Sequence, residues 1–599
     1  MNLRSLVYLL LVVSLLSCRT DQEGSTTDEP TTLAPAGSEY EYKHADNTLR
    51  IGMRVEPTGL NPVLSTQAAS RYVGEMVFQT LNSQDPQTFE QVPLLASLAD
   101  ISREADGTVS YSYLIDERAN WPNGLPVTAT DVIFSLKIVM NPLILSGAYR
   151  PYYDMVSNIV TSPGNEKRFK VMTKRPYLLA EQAIGSLSIY PEYAYDPDGL
   201  LRSISLTDLT NNAKAQRMAE ENDQLKSFAE AFSTAERSHE PDQVIGSGPY
   251  RLVSWEDGQK LTLERREDYW AAKSNDAWMA AKPEKIIFNV IPDAGTMGNA
   301  LRDELVDVVA DMSVNIFKEL REDEYLQQRY EFETVPSLKY FGLLLNLQNP
   351  LLRDVKTRQA LAHAIDVDLL IEQIFPGNMA TRANGPVLPA KSYYNTDLTP
   401  TPYSPERARE LLKEAGWEDS NNDGTVDKII DGAREELAFE FLIFPSGASE
   451  QVGALVKEWV AEVGVSIEVI RQDFRALYGE LDKGNYAMAI AGFGFDPNPD
   501  EFTQLWASTS IPPNGTNRTG FSNAEADKII KQIRVTLKEE DREPLYRRFQ
   551  EIVYEMQPMI FLFSPDDRVV ISKRFEYETT SVSPNRDFNA LEQKSWNKE

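Results

Sequence analysis

Residues 438–471 read AFEFLIFPSGASEQVGALVKEWVAEVGVSIEVIR, and this stretch indicates the fold class. Its two ends, 438–444 and 465–471, are rich in β-branched and aromatic residues and have the length of strands. The segment between them, from 451 to about 463, places apolar residues at helical spacing. A strand, a helix and a second strand in this order predict a βαβ unit. We therefore expect at least part of the protein to be α/β.

Two helices have clear start signals. Thr128-Ala-Thr-Asp131 is a capping box, which predicts a helix over about 132–139. Asp354 is a good N-cap residue and predicts one continuous helix over about 355–374. The apolar face of this second helix is predicted to carry Leu361, Ile365 and Leu369.

Length and charge limit the classes of protein to be considered. A chain of 599 residues is too long for one simple core, so two or three lobes are expected. Lys and Arg total 60 and Asp and Glu total 90, which gives a formal charge of −30. Such an acidic chain is repelled by nucleic acid, so we expect no nucleic-acid partner.

The first eighteen residues have the organisation of a lipoprotein signal peptide. Arg4 gives a basic start, and residues 6–16 form an apolar run that is short for a bilayer-spanning helix. Residues 15–18 (LLSC) then read as a lipobox ending at Cys18. Because Cys18 is the only cysteine, an internal disulfide cannot explain it. The alternative is an ordinary secretory signal with an incidental cysteine.

The chain after Cys18 is predicted to begin with a tether. Residues 19–38 are largely Thr, Pro, Gly, Asp and Glu, with almost nothing to bury. No later segment approaches about 20 uninterrupted apolar residues, the length needed to span a bilayer. We therefore expect an extracytoplasmic protein that is lipid-anchored to a bacterial membrane, on its periplasmic side or at the cell surface.

The usual signatures of catalysis are missing from the sequence. The three histidines, His44, His239 and His363, are far apart and show no metal-ligand spacing. No nucleophile elbow, Walker A motif or dinucleotide-binding fingerprint occurs. We expect a protein that is not an enzyme and that carries no cofactor.

One loop has oxygen-bearing side chains at the spacing of a calcium site. Residues 419–430 (DSNNDGTVDKII) place Asp419, Asn421, Asp423 and Asp427 at alternate positions, with glycine at the sixth. The twelfth position is isoleucine, so the bidentate glutamate of a calcium loop is missing. A plain turn built by Asn and Asp side chains is the alternative.

Six blocks along the chain resemble the family 5 extracellular solute-binding proteins, the oligopeptide- and dipeptide-binding subunits of ABC importers. They occur in the family's order over nearly the whole mature chain. The blocks are EPTGLNP (56–62) with FQTL (78–81), WPNGLPVTATDV (121–132), GSGPY (246–250) with RREDYW (265–270), LN (345–346) with VKTRQAL (355–361), YSP (403–405) with AG (415–416), and FSN (521–523) with Asp527.

The resemblance implies an α/β, two-lobed periplasmic-binding-protein-like fold with an extra N-terminal subdomain. The implied divisions are a signal peptide (1–18), a tether (19–38), a discontinuous lobe I (39–85, 190–288 and 556–599), an inserted subdomain (86–189) and lobe II (289–555). Two strands are expected to cross between the lobes, near 285–292 and again before the C-terminus. Ligand in the cleft would drive closure of the hinge.

The resemblance also implies a ligand-binding segment at residues 492–497 (GFGFDP). Family members carry an aspartate there that pairs with the α-ammonium of the ligand, which implies this role for Asp496. Phe493, Gly494 and Phe495 are expected to lie along the ligand backbone. Phe493 stands where the family usually has tryptophan, and the segment is shorter than usual. The alternative for Asp496 is a turn-forming loop residue.

Two further stretches are candidates for the binding site. Thr66, Gln67 and Ala68 fall where the family segment runs alongside the ligand backbone. Tyr149, in a tyrosine-rich loop, is a candidate to cover the ligand from the opposite side, and otherwise an ordinary packing residue. Arg358 is expected to be a surface or interlobe salt-bridge residue rather than a ligand contact.

The implied function is capture of peptides or peptide-like solutes and their delivery to the permease subunits of an ABC importer, by a monomeric protein. One alternative is a non-peptide solute such as a metal chelate, a haem or an oligosaccharide. A second alternative, from another class, is a lipid-anchored hydrolase acting on peptides or cell-wall fragments.

Overall fold

A computed structural model describes residues 42–594, with gaps at 66, 105–106, 148, 275, 311, 496, 514 and 582–586. The predicted lipidation site Cys18, the tether over 19–38 and the predicted ligand residues Thr66 and Asp496 lie outside the described residues. The expectations for these residues stay predictions.

The strands of the described chain are β1 (Thr48–Met53), β2 (Asn82–Gln84), β3 (Gln91–Pro93), β4 (Ala96–Arg103), β5 (Val109–Ile115), β6 (Val156–Ser162), β7 (Asn165–Thr173), β8 (Tyr250–Glu256), β9 (Lys260–Arg265), β10 (Lys285–Val290), β11 (Val308–Val309), β12 (Tyr330–Pro336), β13 (Lys339–Leu345), β14 (Ala380–Arg382), β15 (Asp427–Ile430), β16 (Ala433–Glu436), β17 (Ala438–Ile443), β18 (Ser466–Arg471), β19 (Met488–Gly494), β20 (Met559–Ser572), β21 (Phe575–Glu576) and β22 (Glu592–Gln593).

The α-helices are α1 (Ala68–Gly74), α2 (Ala129–Met140), α3 (Arg150–Tyr153), α4 (Ala180–Gly185), α5 (Glu192–Tyr195), α6 (Leu206–Leu209), α7 (Asn212–Glu221), α8 (Asp223–Phe232), α9 (Glu236–His239), α10 (Ala294–Arg302), α11 (Val314–Arg321), α12 (Glu324–Arg329), α13 (Val355–Ala364), α14 (Val367–Ile374), α15 (Pro405–Glu414), α16 (Gly447–Ala461), α17 (Phe474–Lys483), α18 (Thr503–Trp506), α19 (Ala524–Val535) and α20 (Glu539–Met556).

The predicted βαβ unit is confirmed. Strands β17 and β18 pair in parallel, from Ala438 opposite Ser466 to Ile443 opposite Arg471, and α16 connects them. The helix begins four residues earlier than expected, at Gly447, because the side chain of Ser446 caps it by accepting a hydrogen bond from a backbone N–H in its first turn. The α/β class follows from this unit and from the mixed sheet to which it belongs.

A twelve-stranded mixed sheet runs through the described molecule, and β20 joins its two halves. The strand order is β18-β17-β19-β13-β20-β11-β1-β10-β9-β8, with β12 and β14 also paired to β20. The first part of β20, from Met559, pairs with β13 and β14. Its second part, up to Ser572, pairs with β12 and β11. One long strand therefore belongs to both halves of the sheet.

The described residues form three hydrophobic cores, of which the third contains the buried Tyr340. Phe288 of β10 belongs to the first core, and Met297 of α10 belongs to the second. Along the second part of β20 the side chains alternate between these cores, because Val569 packs in the first and Val570 in the second. β20 therefore contributes side chains to both cores, and the expected crossing of two strands between the lobes stays a prediction. The numbered lobe boundaries of the sequence analysis stay predictions.

A four-stranded antiparallel sheet, β4-β5-β7-β6, and helix α2 lie within the segment predicted as an inserted subdomain. The capping box is confirmed, since the backbone N–H of Thr128 donates to the carboxylate of Asp131 at 2.9 Å. Helix α2 runs from Ala129 to Met140, slightly beyond the predicted limits. Its buried side chains belong to the first core.

The prediction of one helix over 355–374 is wrong. Two helices occupy this stretch, α13 and α14, and Ile365 between them has an extended backbone. Asp366 then caps α14 by accepting a hydrogen bond from the N–H of Leu369 at 3.0 Å. Leu361 and Ile365 are buried, but Leu369 is 37% exposed. An aspartate that can cap a new helix outweighed the continuous apolar spacing.

The expectation for Arg358 is also wrong. Its side chain is buried rather than on the surface, and its guanidinium donates to backbone carbonyls instead of a carboxylate. The accepting carbonyls belong to Leu352, Arg353, Met556 and Gln557. Burial lowers the pKa of Arg358 to about 10. Arg358 therefore joins the start of α13 to the end of α20, where carbonyls lack helical partners.

Among the described residues, no helix has both the length and the apolar composition that crossing a bilayer requires.

Candidate functional site

The C-terminal end of β19 carries the predicted ligand segment. β19 pairs antiparallel with β13 over its whole length and ends with Gly494 opposite Lys339. The N–H of Phe495 extends the pairing by donating to the carbonyl of Leu338 at 2.7 Å. One edge of this segment is therefore fixed against β13.

Beyond Ala489, the other edge of β19 has no strand partner among the described residues. Its parallel partner β17 pairs only with Met488 and Ala489. In the described part of the chain no strand pairs with residues 490–494 on that side. Gly494 is exposed, and a Cβ atom added to it would meet no atom within 4 Å. Unpaired N–H and C=O groups at a sheet edge can pair with an added extended chain.

Phe493 and Phe495 place their rings on a buried tyrosine. The ring centroids lie 5.5 Å and 5.0 Å from that of Tyr340, and both phenylalanines are half-buried. Residues two apart on a strand point to the same face, so Gly494 points away from this aromatic cluster. The aromatic packing fixes the strand end without using its open edge.

A second group of predicted residues lies at the start of α1. Gln67 accepts a hydrogen bond from the N–H of Thr58 at 2.9 Å, which holds the loop before α1 in place. Ala68 is exposed. The hydroxyl of Tyr149 donates to the carbonyl of Ser65 at 3.2 Å, and burial raises its pKa. The structure therefore brings Tyr149 together with the segment that contains Gln67 and Ala68.

These two groups are not in contact with each other. No hydrogen bond or ring contact between described residues joins Gln67, Ala68 or Tyr149 to the strand end at Phe493–Phe495. They lie on different parts of the molecule, since the α1 segment packs on the first core and Phe493 and Phe495 pack on the third.

Contacts do connect the two parts at other positions. The side-chain amide of Gln84 in β2 lies 3.2 Å from the side-chain oxygen of Asn498, which follows β19. The N–H of Leu178 donates to the carbonyl of Arg534 at 2.8 Å, and the guanidinium of Arg534 lies 5.2 Å from the ring centre of Tyr177. Leu178 is buried in the third core. The structure is thus in an arrangement in which the two parts touch.

A buried polar cluster supports the loop that follows β19. The ammonium of Lys391 donates to the carbonyls of Pro497 (3.0 Å) and Asn498, and lies 3.8 Å from the carboxylate of Asp500. The N–H of Asp500 donates to the hydroxyl of Tyr393 at 2.9 Å, and the hydroxyl of Tyr546 donates to the carbonyl of Asp500 at 2.8 Å.

The carboxyl group of Asp500 is electrostatically perturbed. The side chains of Asp500 and Lys391 are each only 5% exposed. Burial raises the pKa of Asp500 to about 6, and the nearby positive charge of Lys391 opposes this rise only in part. Perturbed groups next to a cleft are candidates for a functional role.

Sequence patterns give almost no indication of this cluster. Lys391 and Asp500 are far apart in the chain, and neither lies in one of the six blocks. The one local signal was the pair of prolines at 497 and 499, which cannot donate backbone hydrogen bonds and so favour support from outside the loop.

The calcium candidate forms a turn that leads into β15. The carboxylate of Asp419 accepts hydrogen bonds from the N–H groups of Asp423 and Gly424, and Asn421 donates to Asp423. Asp427 pairs with an arginine of β16 at 2.8 Å. Among the described residues, no three His, Cys, Asp or Glu side chains are grouped as they would be to hold a metal ion. These hydrogen bonds are typical of a turn built by Asn and Asp side chains, and the calcium alternative stays a prediction.

A sequence profile of the bacterial extracellular solute-binding proteins, family 5, middle region, matches residues 90–514. The chain is 24% identical over 596 residues to the oligopeptide-binding protein AppA of Bacillus subtilis, covering 98% of this chain and 97% of AppA. It is also 24% identical to the heme-binding protein A of Haemophilus influenzae, covering 89% and 90% of the two chains.

The fold matches that of solved structures. The oligopeptide-binding protein AppA of Bacillus subtilis, determined in complex with a nonapeptide, superposes with a TM-score of 0.68 at 23% identity. The match covers 92% of this chain and 99% of the solved one. The two-lobed, multidomain α/β fold expected from the sequence is therefore confirmed.

Proposed function

Because this chain belongs to the bacterial extracellular solute-binding proteins of family 5, we propose that it captures peptides or peptide-like solutes and delivers them to the permease of an ABC importer. Binding occurs by closure of two lobes over the ligand. The relatives named for oligopeptides support the ligand class at the level of the family.

The open edge of β19 is the observation that supports a peptide most. A receptor that accepts peptides of many sequences must use the groups that all peptides share: the backbone, the α-ammonium and the α-carboxylate. Residues 490–494 offer unpaired backbone groups on one side, while β13 holds the strand on the other. An extended peptide can add to this edge as a further strand.

Asp496 follows this edge and is the proposed anchor for the ligand's α-ammonium. A carboxylate binds an ammonium group by a charge-assisted hydrogen bond, which is stronger than a neutral one. Phe493, Gly494 and Phe495 are the proposed neighbours of the ligand backbone, and Gln67, Ala68 and Tyr149 the proposed residues of the facing wall.

Closure is supported by the contacts between the two parts of the molecule. Gln84 with Asn498, and Leu178 with Arg534, join segments that pack on different cores. Ligand-driven hinge closure of this kind is common to two-lobed binding proteins. We further propose that Cys18 is lipidated, so that the monomeric protein acts at the outer face of a bacterial membrane.

Calorimetry with matched ligands tests the peptide proposal. A short peptide with a free α-amine is titrated into the protein, and the same peptide with an acetylated amine is titrated separately. We expect the free peptide to bind and the acetylated one to bind at least about tenfold more weakly. Asp496→Asn should lose most of this discrimination, whereas Asp198→Asn, at an exposed position, should retain it.

Two results would contradict the proposal. If neither peptide binds, the ligand is not a peptide. If the peptide binds but Asp496→Asn changes its affinity less than about threefold, or under ~0.7 kcal/mol, then Asp496 is not the amine anchor.

A haem is the second candidate ligand, because one relative that matches most of the chain is named for haem binding. A haem titration followed by absorbance distinguishes a haem ligand from a peptide ligand. A saturable spectral change at one haem per protein, together with no peptide binding, would favour haem over a peptide.

A further inference from the structure

The loop from Pro497 to Asp500 has few backbone hydrogen-bond donors of its own. Pro497 and Pro499 have no backbone N–H, so two of its four residues cannot donate to a turn. Three side chains outside the loop, those of Lys391, Tyr393 and Tyr546, form hydrogen bonds with its backbone.

Lys391 occupies the centre of this support. A lysine ammonium has three N–H donors. In the structure it has three acceptors within reach: the carbonyls of Pro497 and Asn498 and the carboxylate of Asp500. Both side chains of the pair are almost fully buried. Lys391 therefore directs its ammonium group at the backbone and the carboxylate of this loop.

Helix α20 and the turn that contains Lys391 hold the side chains that support the loop. The rings of Tyr393 and Tyr546 stack with centroids 3.9 Å apart and an interplanar angle of 15°. Gln550 of α20 donates to the carbonyl of Tyr393 at 2.9 Å. Lys391 is held by a turn, in which its N–H donates to the carbonyl of Leu388 at 3.0 Å. The loop thus rests on a rigid base.

We propose that Lys391, together with Asp500, is the positioning group of the ligand site: it sets the loop that joins the strand end at Phe493–Phe495 to the interlobe contact at Asn498. This proposal rests on the proposed function. Asp496 lies directly before the carbonyl that Lys391 holds, and Asn498 contacts Gln84 across the two parts of the molecule. Loss of the pair should therefore weaken ligand binding and closure together.

A double variant with a matched control tests this role. Lys391→Met combined with Asp500→Asn removes both charges while keeping the side-chain sizes, so no unpaired buried charge remains. Lys167→Met is the control, because Lys167 is also buried and also donates to backbone carbonyls, those of Asp116 and Ala119, in the inserted segment far from this loop.

Two measurements are made on the full-length protein and both variants. The first is amide hydrogen exchange of residues 493–501 without ligand, read by mass spectrometry. We expect exchange there to rise at least about tenfold in the double variant and to stay unchanged in Lys167→Met. The second is calorimetric titration of a short peptide, with an expected affinity loss of at least about tenfold in the double variant alone.

The outcomes separate this proposal from the proposed function. Unchanged exchange at 493–501 in the double variant would overturn the positioning role, whatever the ligand is. Faster exchange with unchanged peptide affinity would also overturn it, since the loop would then not govern binding. If the unmodified protein binds no peptide, the proposed function fails, and the exchange result still decides whether Lys391 positions the loop. We expect the double variant and Lys167→Met to lose melting temperature equally. A general loss of stability therefore does not explain a change in exchange at 493–501 or in peptide affinity that only the double variant shows.

Discussion

The carboxyl group of Asp500 is buried, and it lies close in sequence to Asp496, the predicted ligand anchor. Burial raises the pKa of Asp500 from the ordinary value of 3.8 to about 6. The folded protein therefore holds this proton more tightly than the unfolded chain does. The groups that face Asp500 are Lys391, Tyr340, Tyr393 and Tyr546, and burial keeps the pKa of each tyrosine far above this range.

The raised pKa predicts a pH dependence of stability. Asp500 contributes stability that is fully present below about pH 4 and is lost as the pH rises to about 6. Relative to Asp500→Asn, the wild-type protein should lose roughly 3 kcal/mol of unfolding free energy at most across this window. Urea unfolding of both proteins at a series of pH values measures the difference.

The prediction is decided by how the difference in unfolding free energy between the wild type and Asp500→Asn varies with pH. A difference that falls between pH 4 and 6 and is flat above agrees with the raised pKa. A flat difference over the whole range would mean that Asp500 titrates as an ordinary carboxyl group, and a rising difference would mean that Lys391 lowers its pKa instead. The exposed Asp198→Asn variant serves as the control for the loss of a carboxylate.

Leu178 and α19 form the contact at which two elements from different parts of the molecule meet. Leu178 follows β7 of the inserted segment, is 6% exposed and packs in the third core. Its N–H donates to the carbonyl of Arg534 in α19. Under the proposed closure, this contact stabilises the closed arrangement and not the separate parts.

Truncating this contact should shift the protein toward an open arrangement. Leu178→Ala removes buried apolar side-chain atoms, which costs about 2 kcal/mol or more where the site is well packed. We expect a larger radius of gyration by small-angle X-ray scattering with ligand present, and peptide affinity lowered about tenfold or more. Leu145→Ala, at a site that is 83% exposed in the same segment, should behave as wild type. An unchanged radius and affinity would show that the contact does not govern closure.

The elements also indicate what sequence patterns can predict. The βαβ unit and the capping box at Thr128 were predictable because each depends on residues close together in the chain. The break between α13 and α14 was not predicted, because the apolar spacing continues through it while Asp366 starts a new helix. Local competition between a cap and a helical pattern is decided by packing that the sequence does not display.

At the scale of the whole molecule, the family and the two-lobed fold were predictable because the six blocks cover most of the chain. The support of the ligand loop was not, because Lys391, Asp500 and Tyr546 come together only through long-range packing. The place of Arg358 was missed for the same reason, since its carbonyl partners in α20 are distant in sequence. Sequence motifs predicted the end of β19 as a ligand segment, whereas the residues that support the following loop were recognised only in the structure.

The proposed membrane location of the whole protein depends on lipidation of Cys18. We expect a Cys18→Ser variant to lose incorporation of a labelled fatty acid and to leave the membrane fraction, because stable anchoring requires acyl chains. Ser17→Ala keeps a small residue before the cysteine and should be anchored as wild type. Incorporation of label into Cys18→Ser, or wild-type protein found only in the soluble fraction, would contradict lipidation at this residue.

The central claim is that the closed lobes hold a peptide. Protein purified from the native bacterium under mild conditions is denatured with acid, and the released small molecules are identified by mass spectrometry. We predict a mixture of short peptides of varied sequence that share a free α-amine. Release of haem, a metal chelate or an oligosaccharide in place of peptides would contradict the claim.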